Sequence, residues 1–145
     1  MSTVLITGSN RGIGLEFVKQ YSQNDCNVIA TCRNPSKADD LNELAKTNSN
    51  INILAADITQ EESINNLSAE LNNEPIDILI NNAAYLGPPD PQKFGDIDYE
   101  MFTRSFEVNA IGPIRITERL IDNVRSSDTK KIIFLGSAAG SIAQI

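Results

Sequence analysis

Three glycines, at positions 8, 12 and 14 of Thr7-Gly8-Ser9-Asn10-Arg11-Gly12-Ile13-Gly14, form the stretch of this chain best suited to hold a ligand. They follow the apolar run Val4-Leu5-Ile6 and precede a segment of helical apolar period. That order predicts a strand, a tight turn and a helix start. The first N–H groups of a helix have no partner within it, and they sit at the positive end of its dipole. A phosphate is the natural anion for them. The spacing is Gly-x-x-x-Gly-x-Gly, not the commoner Gly-x-Gly-x-x-Gly. Gly8 would allow the sharp exit from the strand, Gly12 would let the backbone approach a pyrophosphate, and Gly14 would let the helix pack closely on the strand.

Charge at the end of the second apolar run bears on which nucleotide such a turn would take. That end reads Ala30-Thr31-Cys32-Arg33-Asn34 and carries no carboxylate. An acidic side chain there would bond the ribose hydroxyls of NAD. Arg33 instead offers a planar fork to a 2′-phosphate, and Arg11 in the turn adds a second cation. NADP(H) is therefore expected in preference to NAD(H), which stays possible.

Other polar residues admit two readings each. Asp57, in Asp57-Ile58-Thr59, could face a ligand or stand at the start of the third helix. Asn81 and Asn82 could contact a ligand or simply end a strand and begin a turn. Asn109, flanked by Phe106, Val108 and Ile111, is expected to be at least partly buried, so its amide needs partners. Ser137 lies one residue past the glycine that ends the fifth apolar run, and Ser141 is its rival for any catalytic role. Histidine is absent, which excludes a Ser-His-Asp hydrolase, a Cys-His protease and a His-ligated metal. The two cysteines, Cys26 and Cys32, are too few for a disulfide framework or a zinc site and are expected to be free thiols. A net charge of −7 without any basic run gives no footing for nucleic acid or an anionic membrane. No apolar stretch approaches the ~20 residues of a membrane span, and no signal-type segment opens the chain, so a cytoplasmic location is expected.

These residues need a scaffold, and the apolar pattern supplies one. Strands are expected at Thr3–Thr7, Val28–Cys32, Ile51–Ala55, Ile76–Ile80 and Lys131–Leu135. All are apolar on both faces, as parallel strands covered by helices are. Helix faces are marked by Ile13, Phe17, Val18 and Tyr21, by Leu41, Leu44 and Ala45, and by Ile64, Leu67 and Leu71. A longer helix is expected from near Asp98, its N-cap, to near Val124. Phe102, Phe106, Ile116, Leu120 and Val124 should point inward from it, and Gly112-Pro113 should bend it. The Pro-rich stretch Leu86–Pro91 reads as a loop at the carboxyl end of the fourth strand, where open parallel sheets bind ligands. The alternation argues one α/β domain over residues 1–145, a doubly wound parallel sheet with right-handed crossovers.

Thr7-Gly8-x-x-x-Gly12-Ile13-Gly14 resembles the cofactor loop of the short-chain dehydrogenases/reductases, and further marks of that family follow in order. Asp57 matches the aspartate that bonds the adenine amino group. Asn81-Asn82-Ala83-Ala84 is similar to the Asn-Asn-Ala-Gly signature, with alanine in the last place, a mild departure if φ there stays negative. Asn109, in Val108-Asn109-Ala110, matches the helix asparagine that holds a proton-relay water, and Ser137 matches the active-site serine. Thr31-Cys32-Arg33-Asn34 with Asn50-Ile51-Asn52-Ile53-Leu54 looks most like the branch of sniffer-type carbonyl reductases and C-factor-like proteins. The resemblance implies a Rossmann-like sheet, incomplete at about five strands, with the C-terminal part absent. It implies cofactor contacts from Thr7, Gly8, Asn10, Arg11, Gly12, Ile13 and Gly14, from Arg33, Asp57 and Ile58, and from Asn82, Ala83 and Ala84. Catalytic roles fall to Ser137 and Asn109.

The same resemblance implies hydride exchange between a nicotinamide and a small-molecule carbonyl or alcohol, and a homo-oligomer in the full-length family. Its Tyr-x-x-x-Lys pair, proton donor and partner, is expected beyond Ile145. Tyr21, Tyr85 and Tyr99 are followed at that spacing by Asp25, Pro89 and Thr103. The 145 residues alone are therefore expected to be inactive, and the fifth strand to present an apolar edge. A non-catalytic dinucleotide-binding or regulatory module is the alternative.

Overall fold

Strands and helices alternate as expected in the computed structural model, which describes residues 1–87 and 92–144. The strands are β1 (Thr3–Thr7), β2 (Asn27–Cys32), β3 (Ile51–Ala55), β4 (Ile78–Asn81) and β5 (Lys131–Phe134). The helices are α1 (Gly12–Gln23), α2 (Asp39–Thr47), α3 (Glu61–Leu71), α4 (Tyr99–Phe106) and α5 (Gly112–Arg125). All strand pairs are parallel, in the order β3-β2-β1-β4-β5. The chain thus steps outward from β1 to β3, then returns to lay β4 on the other side of β1. Order reverses between β1 and β4, and the carboxyl ends of those strands are where this topology opens a crevice.

Alternation along the strands sends side chains into two cores. Leu5, Ile29, Leu54 and Leu79 pack with Ile64, Leu67 and Leu71 of α3 and with Ile116, Leu120 and Val124 of α5. Val4, Ile6, Val28, Ala30 and Ile80 pack on the opposite face with Val18 of α1 and Leu41 of α2. With strands on both sides and helices on both faces, β1 is buried at every residue. Burying each such aliphatic side chain stabilises the fold by roughly 1.5–3 kcal/mol. At the other end of the sheet Asp77 joins three segments. Its carboxylate accepts from the N–H groups of Thr3 (2.9 Å) and Thr129 (3.2 Å). These bonds, the Thr3 one foremost, hold its pKa below the ordinary carboxylate value.

Several expectations need correction. The fourth strand starts at Ile78 rather than Ile76; Ile76 is buried, but its N–H bonds Asn123 O on α5 instead of a neighbouring strand. The long helix is interrupted by a π-helical turn at Glu107–Ile111, whose wider loop is closed by Gly112 N–H on Glu107 O. Proline at 113 cannot offer an N–H, and the extra residue is accommodated just before it. That insertion turns the two halves out of phase. Ile116, Leu120 and Val124 are buried as expected, whereas Phe102 and Phe106 are 62% and 60% exposed. Ile13, placed by helical period on the core face of α1, is also exposed. Asp98 caps α4 as expected, accepting from Met101 N–H at 2.9 Å. Leu86 and Gly87 leave the sheet as loop, and Pro88–Pro91 lie outside the described residues. On β5, Phe134 and the following Leu135 are exposed.

Candidate cofactor and active site

The crevice at the switch point is a cleft of about 1850 Å³, open to solvent. Its floor is the glycine turn. Gly8 and Gly12 take positive φ values of 68° and 56°, a region that side-chain-bearing residues enter only at a cost. Gly14 is required by proximity instead: a Cβ there would stand 2.2 Å from Gly8 O and 2.5 Å from Asn82 Nδ2. The turn is tied to β4 by its neighbours. Asn82 Nδ2 donates to the carbonyls of Thr7 (2.9 Å) and Gly8 (3.1 Å). Thr7 Oγ1 in return accepts from the N–H groups of Asn82 and Ala83, both at 3.0 Å.

The turn delivers a bare helix start. Arg11 is the N-cap of α1, in extended conformation, with no side-chain cap bond and no acidic residue in the first turn. The first amides of α1 are thus left to an external acceptor. Above Gly12 there is open space, with nothing within 4 Å of where a Cβ would lie. Arg11 and Arg33 both line the cleft, and neither is ion-paired among the described residues. An anion of pyrophosphate size, with a further phosphate near Arg33, fits this donor set.

Every cofactor or catalytic residue proposed from the sequence lines the cleft except Thr7; Asn10, Ala84 and Ser137 are among those that do. Thr7 is 1% exposed and its hydroxyl is engaged with the backbone, so it shapes the turn from beneath. Asp57 faces the cleft from the end of β3, its Oδ1 accepting from Thr59 N–H (3.0 Å) and Thr59 Oγ1 (2.7 Å). It does not cap α3, whose N-cap is Gln60. Ala84 stays out of the positive-φ region, so glycine is not needed there. Asn109 is exposed rather than partly buried, because the π-turn that carries it rims the cleft. Its amide is nonetheless satisfied at both ends: Oδ1 accepts from Tyr85 N–H at 2.7 Å, and Nδ2 donates to Tyr85 O at 2.8 Å. Ser137 lies on the far wall, where its Oγ accepts from Ala139 N–H at 3.2 Å; Ser141 does not line the cleft.

Residues not singled out from the sequence also contribute. Tyr85 forms part of the wall, held by Asn109 and covered by the Arg104 guanidinium, 4.6 Å from the ring centre. Its position directly after Asn-Asn-Ala-Ala was the available signal. Cys32 lines the cleft as a buried thiol, and burial raises its pKa. Among the described residues no His/Cys/Asp/Glu group could hold a metal, and no helix is long and apolar enough to cross a membrane.

Strand order, glycine turn and cleft together define a Rossmann-like α/β domain. The family model described as short chain dehydrogenase matches residues 2–145, and the chain belongs to that family of oxidoreductases. Among curated relatives, the short chain dehydrogenase gsfK of Penicillium aethiopicum is 35% identical over 98% of this chain and 59% of its own length. The crystal structure of an NADPH-bound carbonyl reductase from chicken fatty liver superposes with a TM-score of 0.87 at 29% identity, covering 99% of this chain and 62% of that one. A carbonyl reductase from Pseudomonas aeruginosa PAO1 in complex with NADP gives 0.79 at 32% identity, over 85% and 56% respectively. The chain thus spans 59% of that curated relative and similar shares of the solved structures.

Proposed function

We propose that this chain binds a nicotinamide dinucleotide, NADP(H) in preference to NAD(H), and forms the nucleotide-binding part of a carbonyl reductase. The observation that carries this reading is the uncapped start of α1 beneath open space, flanked by the guanidinium groups of Arg11 and Arg33, which form no ion pair among the described residues. The NADP(H)-bound carbonyl reductases of like fold support it.

Each residue's task follows from its place. The amides at the start of α1 hold the pyrophosphate, with Gly8, Asn10, Gly12, Ile13 and Gly14 shaping the surface it meets. Arg33 and Arg11 neutralise the 2′-phosphate. Asp57 and Ile58 receive the adenine, the carboxylate accepting from its amino group. Asn82, Ala83 and Ala84 form the wall past the end of β4. When bound, the nicotinamide supplies or takes up the hydride exchanged with a carbonyl or alcohol carbon. Ser137 Oγ is the hydroxyl available to hydrogen-bond the substrate oxygen, and Asn109 fixes the backbone at Tyr85 beside it. These 145 residues hold no Tyr-x-x-x-Lys pair, so general acid catalysis, typically worth ~10²–10⁴-fold, is not expected of them alone.

Titration calorimetry tests the reading. NADPH should bind more tightly than NADH, and Arg33→Ala should cost NADPH about 1.5–3 kcal/mol while leaving NADH nearly unchanged. No heat with either dinucleotide from folded protein would refute the proposal; equal losses would remove the NADP(H) preference.

A further inference from the structure

We infer that Arg115 is a positioning residue for recognition of the adenine ring, an inference that rests on the dinucleotide reading above. Arg115 stands on α5 and does not line the cleft. Its Nη1 donates to Thr59 O at 3.0 Å and approaches Ile58 O at 3.4 Å. The same nitrogen meets Glu107 Oε1 at 3.0 Å. One guanidinium thus ties the Asp57-Ile58-Thr59 loop to the π-turn at Glu107–Ile111.

Thr59 is the residue that orients Asp57, since its N–H and hydroxyl both donate to Asp57 Oδ1. Holding Thr59 by its carbonyl therefore sets the direction of the Asp57 carboxylate. A planar, permanently charged group suits this task, because its donors are fixed relative to one another. Glu107 offsets the charge, so Arg115 presents no free cation for a phosphate. A second contact acts at the same place: a Cβ on Gly112 would lie 2.8 Å from Ile58 Cδ1 and 3.2 Å from Ile58 O. The start of α5 is pressed against the loop, and Arg115 fastens it there.

The test compares NADPH with its deamino (hypoxanthine) analogue, which lacks the amino group that Asp57 would accept from. Calorimetry on the wild-type chain should show NADPH bound about tenfold more tightly. Arg115→Met, which keeps the apolar stem, should bring that ratio close to one. A ratio unchanged in Arg115→Met would overturn the inference, as would a wild-type protein that binds both dinucleotides equally. A merely structural arginine would weaken both ligands alike and leave the ratio intact. Should Arg115→Met fail to fold, Glu107→Gln carries the same measurement: a lowered ratio supports the inference and an unchanged one overturns it. Failure of the wild type to bind NADPH at all would instead strike the proposed function.

Discussion

The two walls of the cleft are built in different ways. At the glycine turn, backbone and side-chain groups of β1 and β4 lock one another: Thr7 and Asn82 exchange hydrogen bonds, and Gly14 sits where no larger residue fits. On the opposite wall, Ser137 is exposed, and among the described residues its hydroxyl bonds only within its own turn, to Ala139 N–H. The first wall is part of the sheet's assembly, so its geometry and the fold's stability are coupled. The second is local, and its chemistry can change with little effect on folding. The geometry of the glycine turn is thereby fixed by the core, and the wall that carries Ser137 is left adjustable.

Substitutions should separate the walls in graded steps. Gly14→Ala should do most, because its methyl meets the Gly8 carbonyl, which is backbone and cannot yield, as well as the Asn82 amide. A loss of about 3 kcal/mol, read from the denaturant midpoint, should accompany loss of dinucleotide binding. Asn82→Ala removes the donor shared by Thr7 O and Gly8 O and should cost about 1–3 kcal/mol by the same measure. If either variant were as stable as wild type, the coupling of turn and core would be wrong.

Acid titration probes the far end of the same β1–β4 seam. The folded-state pKa of Asp77 lies below its unfolded value. Its contribution is therefore complete above the unfolded pKa, about 3.9, and is lost as pH falls through the lowered folded value. Asp77→Asn should flatten this acid limb in pH-dependent unfolding; an unchanged limb would exclude Asp77 as its source. The smallest effect is expected on the opposite wall. Ser137→Ala should alter stability by no more than about 0.5 kcal/mol and leave NADPH affinity unchanged. A large loss of either would show that this wall, too, belongs to the core.

Much of this was legible in the sequence because it depends on neighbours along the chain. Short apolar runs ended by glycine or asparagine mark β1 and β4, and glycine spacing marks the turn. Phe102 and Phe106 were misplaced because an α-helical period was carried across a turn that is not α-helical, and Asn109 because its apolar neighbours along the chain do not cover it. Thr7 shows another limit: spacing cannot tell whether a hydroxyl faces a ligand or the amides of Asn82 and Ala83. Arg115 was invisible for a different reason, since its partners Ile58 and Thr59 belong to a distant loop that only the packing of α5 brings within reach.

The central place of β1 also governs the order of assembly. Its partner β4 is made long after it, and until then one side of β1 has its peptide groups unpaired. Emerging from a ribosome, the first three strands can pair among themselves, yet the crevice cannot exist before residues 78–81 arrive. Folding should therefore be slow for a chain of this size, governed by closure of that long loop, and a nascent chain halted earlier would expose a sticky flank to chaperones.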